Sequence, residues 1–165
     1  PLPYADWLRR DAAQNGLDPM LVAGLIRQES TFQADAISYA NAYGLMQLLP
    51  KTGRLMARQA RVRYLKTRLT EPEYNLQLGT LYLKGLIELT GGVEYALAAY
   101  NAGEDRIALW KAERAYEETP ELVESIPFSQ TRDYVQIVLR NAEIYRMIYG
   151  SGGSSAAPVV TSRGH

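Results

Sequence analysis

Cysteine is absent from the 165-residue chain, and its one histidine, His165, is the last residue. The first absence removes thiol nucleophiles, disulfides and Cys-based metal sites together. The second leaves a Ser-His-Asp arrangement, or a His-ligated zinc, dependent on the extreme C-terminus. No metal and no cofactor are therefore expected, and any catalysis must rest on carboxylates, hydroxyls, amides or lysine. Net charge is missing too, because 18 Lys and Arg balance 18 Asp and Glu. No global field draws in polyanions or anionic membranes, so nucleic acid is not an expected partner. No run approaches the roughly 20 apolar residues of a membrane span. The opening residues, Pro1-Leu2-Pro3-Tyr4-Ala5-Asp6, do not form a signal peptide. Starting on Pro1 rather than Met is what a processed form or a fragment would show. Finally, no stretch alternates apolar and polar residues over the length that a half-buried strand needs.

What is present is helical periodicity almost from end to end, in a composition that is 47% hydrophobic and 22% charged, near the average for soluble domains. The length suits one domain with a real core. The expectation is a mainly α, single globular domain, monomeric, over residues 1–150, followed by a flexible Gly/Ser/Ala-rich tail over 151–165. A first helix is predicted over Tyr4 to Gln14 with Trp7, Leu8 and Ala12 inward, closed by Asn15-Gly16. Asp18-Pro19 pairs an N-cap with proline at the first helical position and opens a second helix to about Glu29. Ser30 to Tyr43 reads as a long loop, the kind that is usually functional or disordered. Gly44 to Pro50 restarts a short apolar turn, and Lys51-Thr52 opens a helix to about Ala60. The basic stretch from Arg54 to Arg68 spreads its cations around helix faces, as solvated surface does. A long helix follows Glu71-Pro72 to about Leu89, with Leu76, Leu83, Leu86 and Ile87 as its apolar stripe. Gly91-Gly92 stops it. Shorter helices are expected over Val93 to Tyr100 and Asp105 to Ala112, then a turn from Pro120 toward Ser125 and a last helix from Thr131 to Tyr149.

One carboxylate in this pattern is out of place. In the second helix Val22, Leu25, Ile26 and Glu29 are spaced to share one face at 100° per residue, so Glu29 points where the core points. Apolar neighbours strip hydration from a carboxylate and raise its pKa from about 4.3 toward neutrality, which is the tuning a general acid requires. On helix phase alone, a helix-terminal glutamate that leans into solvent or caps the next segment remains the commoner reading.

The company that Glu29 keeps is more specific. Gln28-Glu29-Ser30, Ser38, Gly44-Leu45-Met46-Gln47, Ala99-Tyr100-Asn101-Ala102-Gly103, and Glu124-Ser125-Ile126-Pro127-Phe128 with Thr131-Arg132-Asp133-Tyr134-Val135 resemble, in order and spacing, the soluble lytic transglycosylases. These belong to the goose-lysozyme-like group of glycosidases, and the similarity spans about residues 5 to 148. The resemblance implies a lysozyme-like fold, Glu29 as the catalytic glutamate, and Ser38 beside the reacting sugar. It implies that Gly44, Met46 and Gln47 line the cleft and contact N-acetyl groups, that Tyr100 and Asn101 border the reaction centre, that Glu124 is a second acidic position in the groove, and that Tyr134 closes the site. Blander roles stay open beside these. Met46 fits a core position as well as a cleft, Gly44 could only relax a helix start, and Tyr100 could be an ordinary buried aromatic. Ser30 is as suited to finishing its helix as to touching substrate, and Glu124 could pair with Arg132. One position departs from the family: many relatives carry glycine where this chain has Asn41, a residue that tolerates the left-handed region better than most.

The implied reaction is non-hydrolytic cleavage of the β-1,4 bond between N-acetylmuramic acid and N-acetylglucosamine in peptidoglycan strands. Most glycosidases use two carboxyl groups, whereas this catalytic motif offers one. The pattern fits Glu29 as acid and then base, with the substrate's own N-acetyl group and C6 hydroxyl doing the rest. A hydrolase on the same fold and a silent glycan-binding module are the alternatives. A peptidoglycan substrate places the chain in the periplasm or cell envelope.

Overall fold

The computed structural model describes residues 1–113 and 129–150. Seven α-helices are found among them: α1 Ala5–Gln14, α2 Pro19–Ser30, α3 Pro50–Ala60, α4 Pro72–Thr90, α5 Val93–Ala102, α6 Glu104–Glu113 and α7 Ser129–Tyr149. A 3₁₀ helix, Lys66–Thr70, precedes α4. The described residues contain no named strand, only isolated bridges pairing Ile37 with Tyr43 and Tyr43 with Leu48. The fold class is therefore mainly α, as the sequence predicts. The predicted turn after Pro120, Glu124, and the predicted tail after Gly150 lie outside the described residues.

Local chemistry sets most helix ends. Asp18 Oδ1 accepts the Met20 N–H at 2.8 Å and Pro19 occupies the first turn of α2, which satisfies one otherwise orphaned donor. Proline likewise opens α3 and α4. Gly91, at φ 83°, ends α4 with its N–H on the Ile87 carbonyl, a left-handed stop that glycine adopts at no steric cost. The 3₁₀ turn at Lys66–Thr70 was not foreseen, because its basic residues carry no periodic signal.

The main core gathers Leu8 and Ala12 of α1, Val22, Leu25 and Ile26 of α2, Leu76, Leu83 and Leu86 of α4, Ala96 to Ala99 of α5, and Val135 and Val138 of α7. A second cluster, Leu48, Met56, Ala57, Leu69, Tyr74 and Leu78, seals α3 and the 3₁₀ turn onto α4. Trp7, expected inward, is instead 36% exposed and stacks on Tyr4, ring centroids 6.3 Å apart. Leu8 takes the inward position beside it. Ile87 is only half buried, at the edge of its stripe.

Two helical glycines permit close approaches by other elements. A Cβ placed on Gly24 would stand 2.8 Å from the Ala142 amide nitrogen and 2.8 Å from the Val138 carbonyl oxygen, so α2 and α7 touch backbone to backbone there. A Cβ on Gly79 would stand 2.3 Å from Met46 Sδ and 2.9 Å from Met46 Cβ. By contrast Gly85, exposed in α4, meets nothing within 4 Å.

Gly24→Ala must push α7 off α2, and overpacking of this kind costs about 1–3 kcal/mol. Thermal unfolding should show a fall in midpoint of about 3–10 °C. Gly85→Ala should instead gain up to about 1 kcal/mol from helix propensity alone. Equal effects from the two substitutions would contradict the packing described.

Candidate active site

Glu29 is the penultimate residue of α2, and the helix ends immediately after it. Thr31 and Phe32 both take left-handed conformations, at φ 53° and 60°, which turn the chain sharply. Ser30, buried at the helix end, donates its hydroxyl to the Leu45 carbonyl at 2.8 Å and lies 3.3 Å from that of Ile26. It thus pins the Gly44–Gln47 turn to the end of α2, and has a structural task in its own right.

The Glu29 side chain, on the Val22–Ile26 face, meets α7. Its Oε1 accepts the Tyr134 hydroxyl at 2.7 Å. Oε2 has no hydrogen-bond partner among the described residues, and the residue as a whole is partly exposed. Burial pushes the carboxyl up to about 7, and the Tyr134 bond, which favours the ionised form, holds it back. Among the described residues no charged side chain contributes. Tyr134 itself is raised well above the ordinary phenol range, first by burial and then by the Glu29 charge, so it stays a neutral donor. Tyr100 is raised in the same way, by burial and then by Glu29, which places both phenols within electrostatic reach of the carboxylate.

Tyr100 donates its hydroxyl to the Met46 carbonyl at 2.5 Å and packs its ring 5.3 Å from that of Tyr82. Asn101 follows it at the end of α5 with an exposed side chain, whose Oδ1 accepts the Thr131 hydroxyl at 2.8 Å. Tyr134, Thr131, Tyr100 and Asn101 thereby link α2, α5, α7 and the Gly44–Gln47 turn around Glu29.

The turn itself is held from beneath by Asn75, a residue that no motif singled out. Fully buried in α4, it accepts the Met46 N–H at 2.8 Å on Oδ1 and donates Nδ2 to the Tyr43 and Leu69 carbonyls, each at 2.8 Å. An isolated asparagine in an apolar helical stretch was the available signal, since buried amides must be satisfied. Gly44, at φ 79°, leaves room for this amide: a Cβ there would stand 2.4 Å from Asn75 Nδ2 and 2.4 Å from the Leu69 oxygen. Its role is close packing within a turn, with no helix start involved.

Met46 has a fully buried side chain lying against Gly79. Of its two open readings the structure shows the core one; its contribution to the site is the carbonyl that Tyr100 holds. Gln47 sits at φ 52° and donates Nε2 to the Gly44 and Ala36 carbonyls at 2.9 and 3.1 Å, which leaves Oε1 as the atom it can offer a ligand. Ser38 Oγ accepts the Ala42 N–H at 3.1 Å within a tight loop. In that loop Asn41 takes φ 58°, the left-handed conformation expected where relatives carry glycine. Glu124 lies outside the described residues, and its place in the groove is not part of this geometry. Among the described residues no three His, Cys, Asp or Glu side chains converge to hold a metal.

Comparison with known proteins identifies the family. Residues 6–123 match the transglycosylase SLT domain family, and 125–153 match the soluble lytic transglycosylase helical domain. The soluble lytic murein transglycosylase of Salmonella typhimurium is 34% identical over 154 residues, covering 91% of this chain and 24% of that protein. The membrane-bound lytic murein transglycosylase C of Actinobacillus pleuropneumoniae is 32% identical, covering 86% of this chain and 45% of that protein. Among solved structures, the 70-kDa soluble lytic transglycosylase of Escherichia coli superposes with a TM-score of 0.84 at 33% identity, over 91% of this chain and 25% of that one. An inactive mutant of the lytic transglycosylase Slt of Pseudomonas aeruginosa gives 0.81 at 35%, with the same coverage. This chain thus spans about a quarter of the length of the soluble relatives that it matches. With a lysozyme-like helical fold and a family match over most of its length, the chain belongs to the transglycosylase SLT domain family.

Proposed function

We propose that this chain is the catalytic domain of a peptidoglycan lytic transglycosylase, with Glu29 as its one acid and base. The observation that carries the reading is a carboxyl raised to about 7 by burial, bonded to a neutral phenol, on a residue that remains partly exposed. The soluble relatives are named as murein transglycosylases, which supports the same substrate.

Protonated Glu29 gives its proton to the glycosidic oxygen as the C1–O bond breaks. The carbonyl of the sugar's N-acetyl group stabilises the positive charge that develops at C1. Glu29, now ionised, takes the proton of the C6 hydroxyl as that oxygen bonds to C1, closing a 1,6-anhydro ring without consuming water. Burial favours the acid step, and the Tyr134 bond keeps the anion accessible for the base step, so the two influences on Glu29 serve opposite halves of one cycle. With Oε1 held by Tyr134, Oε2 is the oxygen that moves the proton. Gln47 Oε1 and the Ser38 hydroxyl offer uncharged partners for sugar amide and hydroxyl groups, with Tyr100 and Asn101 at the opposite border. Peptidoglycan strands as substrate put the reaction in the periplasm or cell envelope. We further read residues 1–150 as the catalytic unit, acting as a monomer, and 151–165 as a flexible tail.

Glu29→Gln should lower glycan cleavage by about 10²–10⁴-fold. Mass spectrometry of digested peptidoglycan should find anhydro ends; products heavier by one water, with reducing ends, would establish the hydrolase instead. Activity should fall as pH rises through about 7, where Glu29 loses the proton it must donate. Tyr134→Phe removes the bond that favours the anion, so this alkaline limb should move to higher pH; a downward move would contradict the role given to Tyr134. Stability carries the same signature. A carboxyl whose folded pKa lies above its unfolded value of 4.5 binds more protons when folded, so its contribution is fully present below that unfolded value. It is lost as pH rises through about 7. Glu29→Gln should therefore gain about 1–3 kcal/mol over the parent at pH 8 and none at pH 4, as read by denaturant titration.

A further inference from the structure

Asn101 is exposed at the end of α5, while its partner Thr131, in the first turn of α7, is only 3% exposed. The bond between them, 2.8 Å from Thr131 Oγ1 to Asn101 Oδ1, decides which end of the amide faces outward. With Oδ1 committed to Thr131, Nδ2 makes no hydrogen bond among the described residues. In the reverse arrangement, Nδ2 donating to Thr131, the threonine hydroxyl would need a different acceptor for its own hydrogen. Thr131 and Tyr134 are three residues apart, on one face of α7, and Tyr134 reaches Glu29 from that face. One turn of one helix therefore holds both the Glu29 carboxyl and the Asn101 amide.

We propose that Thr131 is a positioning residue that commits the Asn101 oxygen and leaves its amide nitrogen free on the exposed side, making Asn101 a donor to a hydrogen-bond acceptor of the bound glycan. The nature of that ligand rests on the function proposed above. A hydroxyl at position 131 is needed to keep the amide from turning over and presenting its oxygen instead. The chemistry selected is an acceptor, a sugar carbonyl or ether oxygen, in preference to an N–H.

The test is a double-mutant cycle on binding of a β-1,4-linked N-acetylglucosamine tetramer, followed by calorimetry. It is run in the Glu29→Gln background so that no turnover intervenes, with kcat/KM on peptidoglycan measured in parallel in the parent background. Thr131→Val should weaken binding about three- to tenfold, the worth of one neutral hydrogen bond, while Thr131→Ser should stay near the parent. Asn101→Asp keeps an acceptor for Thr131 but removes the donor, and should lose as much as Asn101→Ala. The decisive reading is the double variant: Thr131→Val should cost nothing further once Asn101 is alanine. If its cost persists in full there, Thr131 acts through the fold and the proposal fails. It fails equally if Thr131→Val is silent, or if Asn101→Asp binds as the parent does. Tetramer binding that shows this coupling in a chain that cleaves no peptidoglycan would sink the proposed function and leave this inference standing. A chain that neither binds the tetramer nor cleaves peptidoglycan overturns both.

Discussion

The backbone contact between α2 and α7 at Gly24 is the constraint on which the site depends. It brings the Val138 and Ala142 backbone within touching distance of α2, and that closeness lets the Tyr134 hydroxyl meet Glu29 at 2.7 Å. The same approach strips water from the carboxylate, so packing and acidity have one cause. The half-exposed ion pair between Arg146 and Asp18, 2.8 Å long, crosses the same interface. An exposed pair contributes about 0–1 kcal/mol, well below what the buried apolar contacts around Gly24 supply.

A second support works from the other side. Asn75 commits both its donor hydrogens and its carbonyl oxygen to three backbone groups of the turn and the 3₁₀ segment. That turn has too little regular structure to hold itself, and its carbonyls and amide would otherwise be buried without partners. Ser30 and Tyr100 add bonds to the next two carbonyls, those of Leu45 and Met46. The irregular side of the site is as determined as the helical one, by side-chain amides and hydroxyls in place of a ladder.

Much of this was legible in the sequence. The Asp18-Pro19 cap, the Gly91 stop and the spacing of Glu29 from Val22 are local signals, and each has the structure that local chemistry predicts. Asn41 also behaves as its tolerance of positive φ implies. Leu8 and Ala12 are inward as expected, whereas Trp7 misled because it lies at the edge of the apolar face of α1, where only tertiary packing decides what is covered. The task of Asn75, and the choice between core and cleft for the Met46 side chain, were not legible, because each depends on a contact about 30 residues away in the chain. The pairing of Thr131 with Asn101 was hidden for the same reason, although both residues lie inside recognisable motifs.

The acidity of Glu29 comes from lost hydration and a neutral phenol, with no charged neighbour among the described residues contributing. Dissolved salt screens charge–charge attraction but barely alters the cost of burying an ion. A site tuned in this way keeps its working proton affinity in dilute and in concentrated media alike, where one tuned by ion pairs would drift with every change of ionic strength outside.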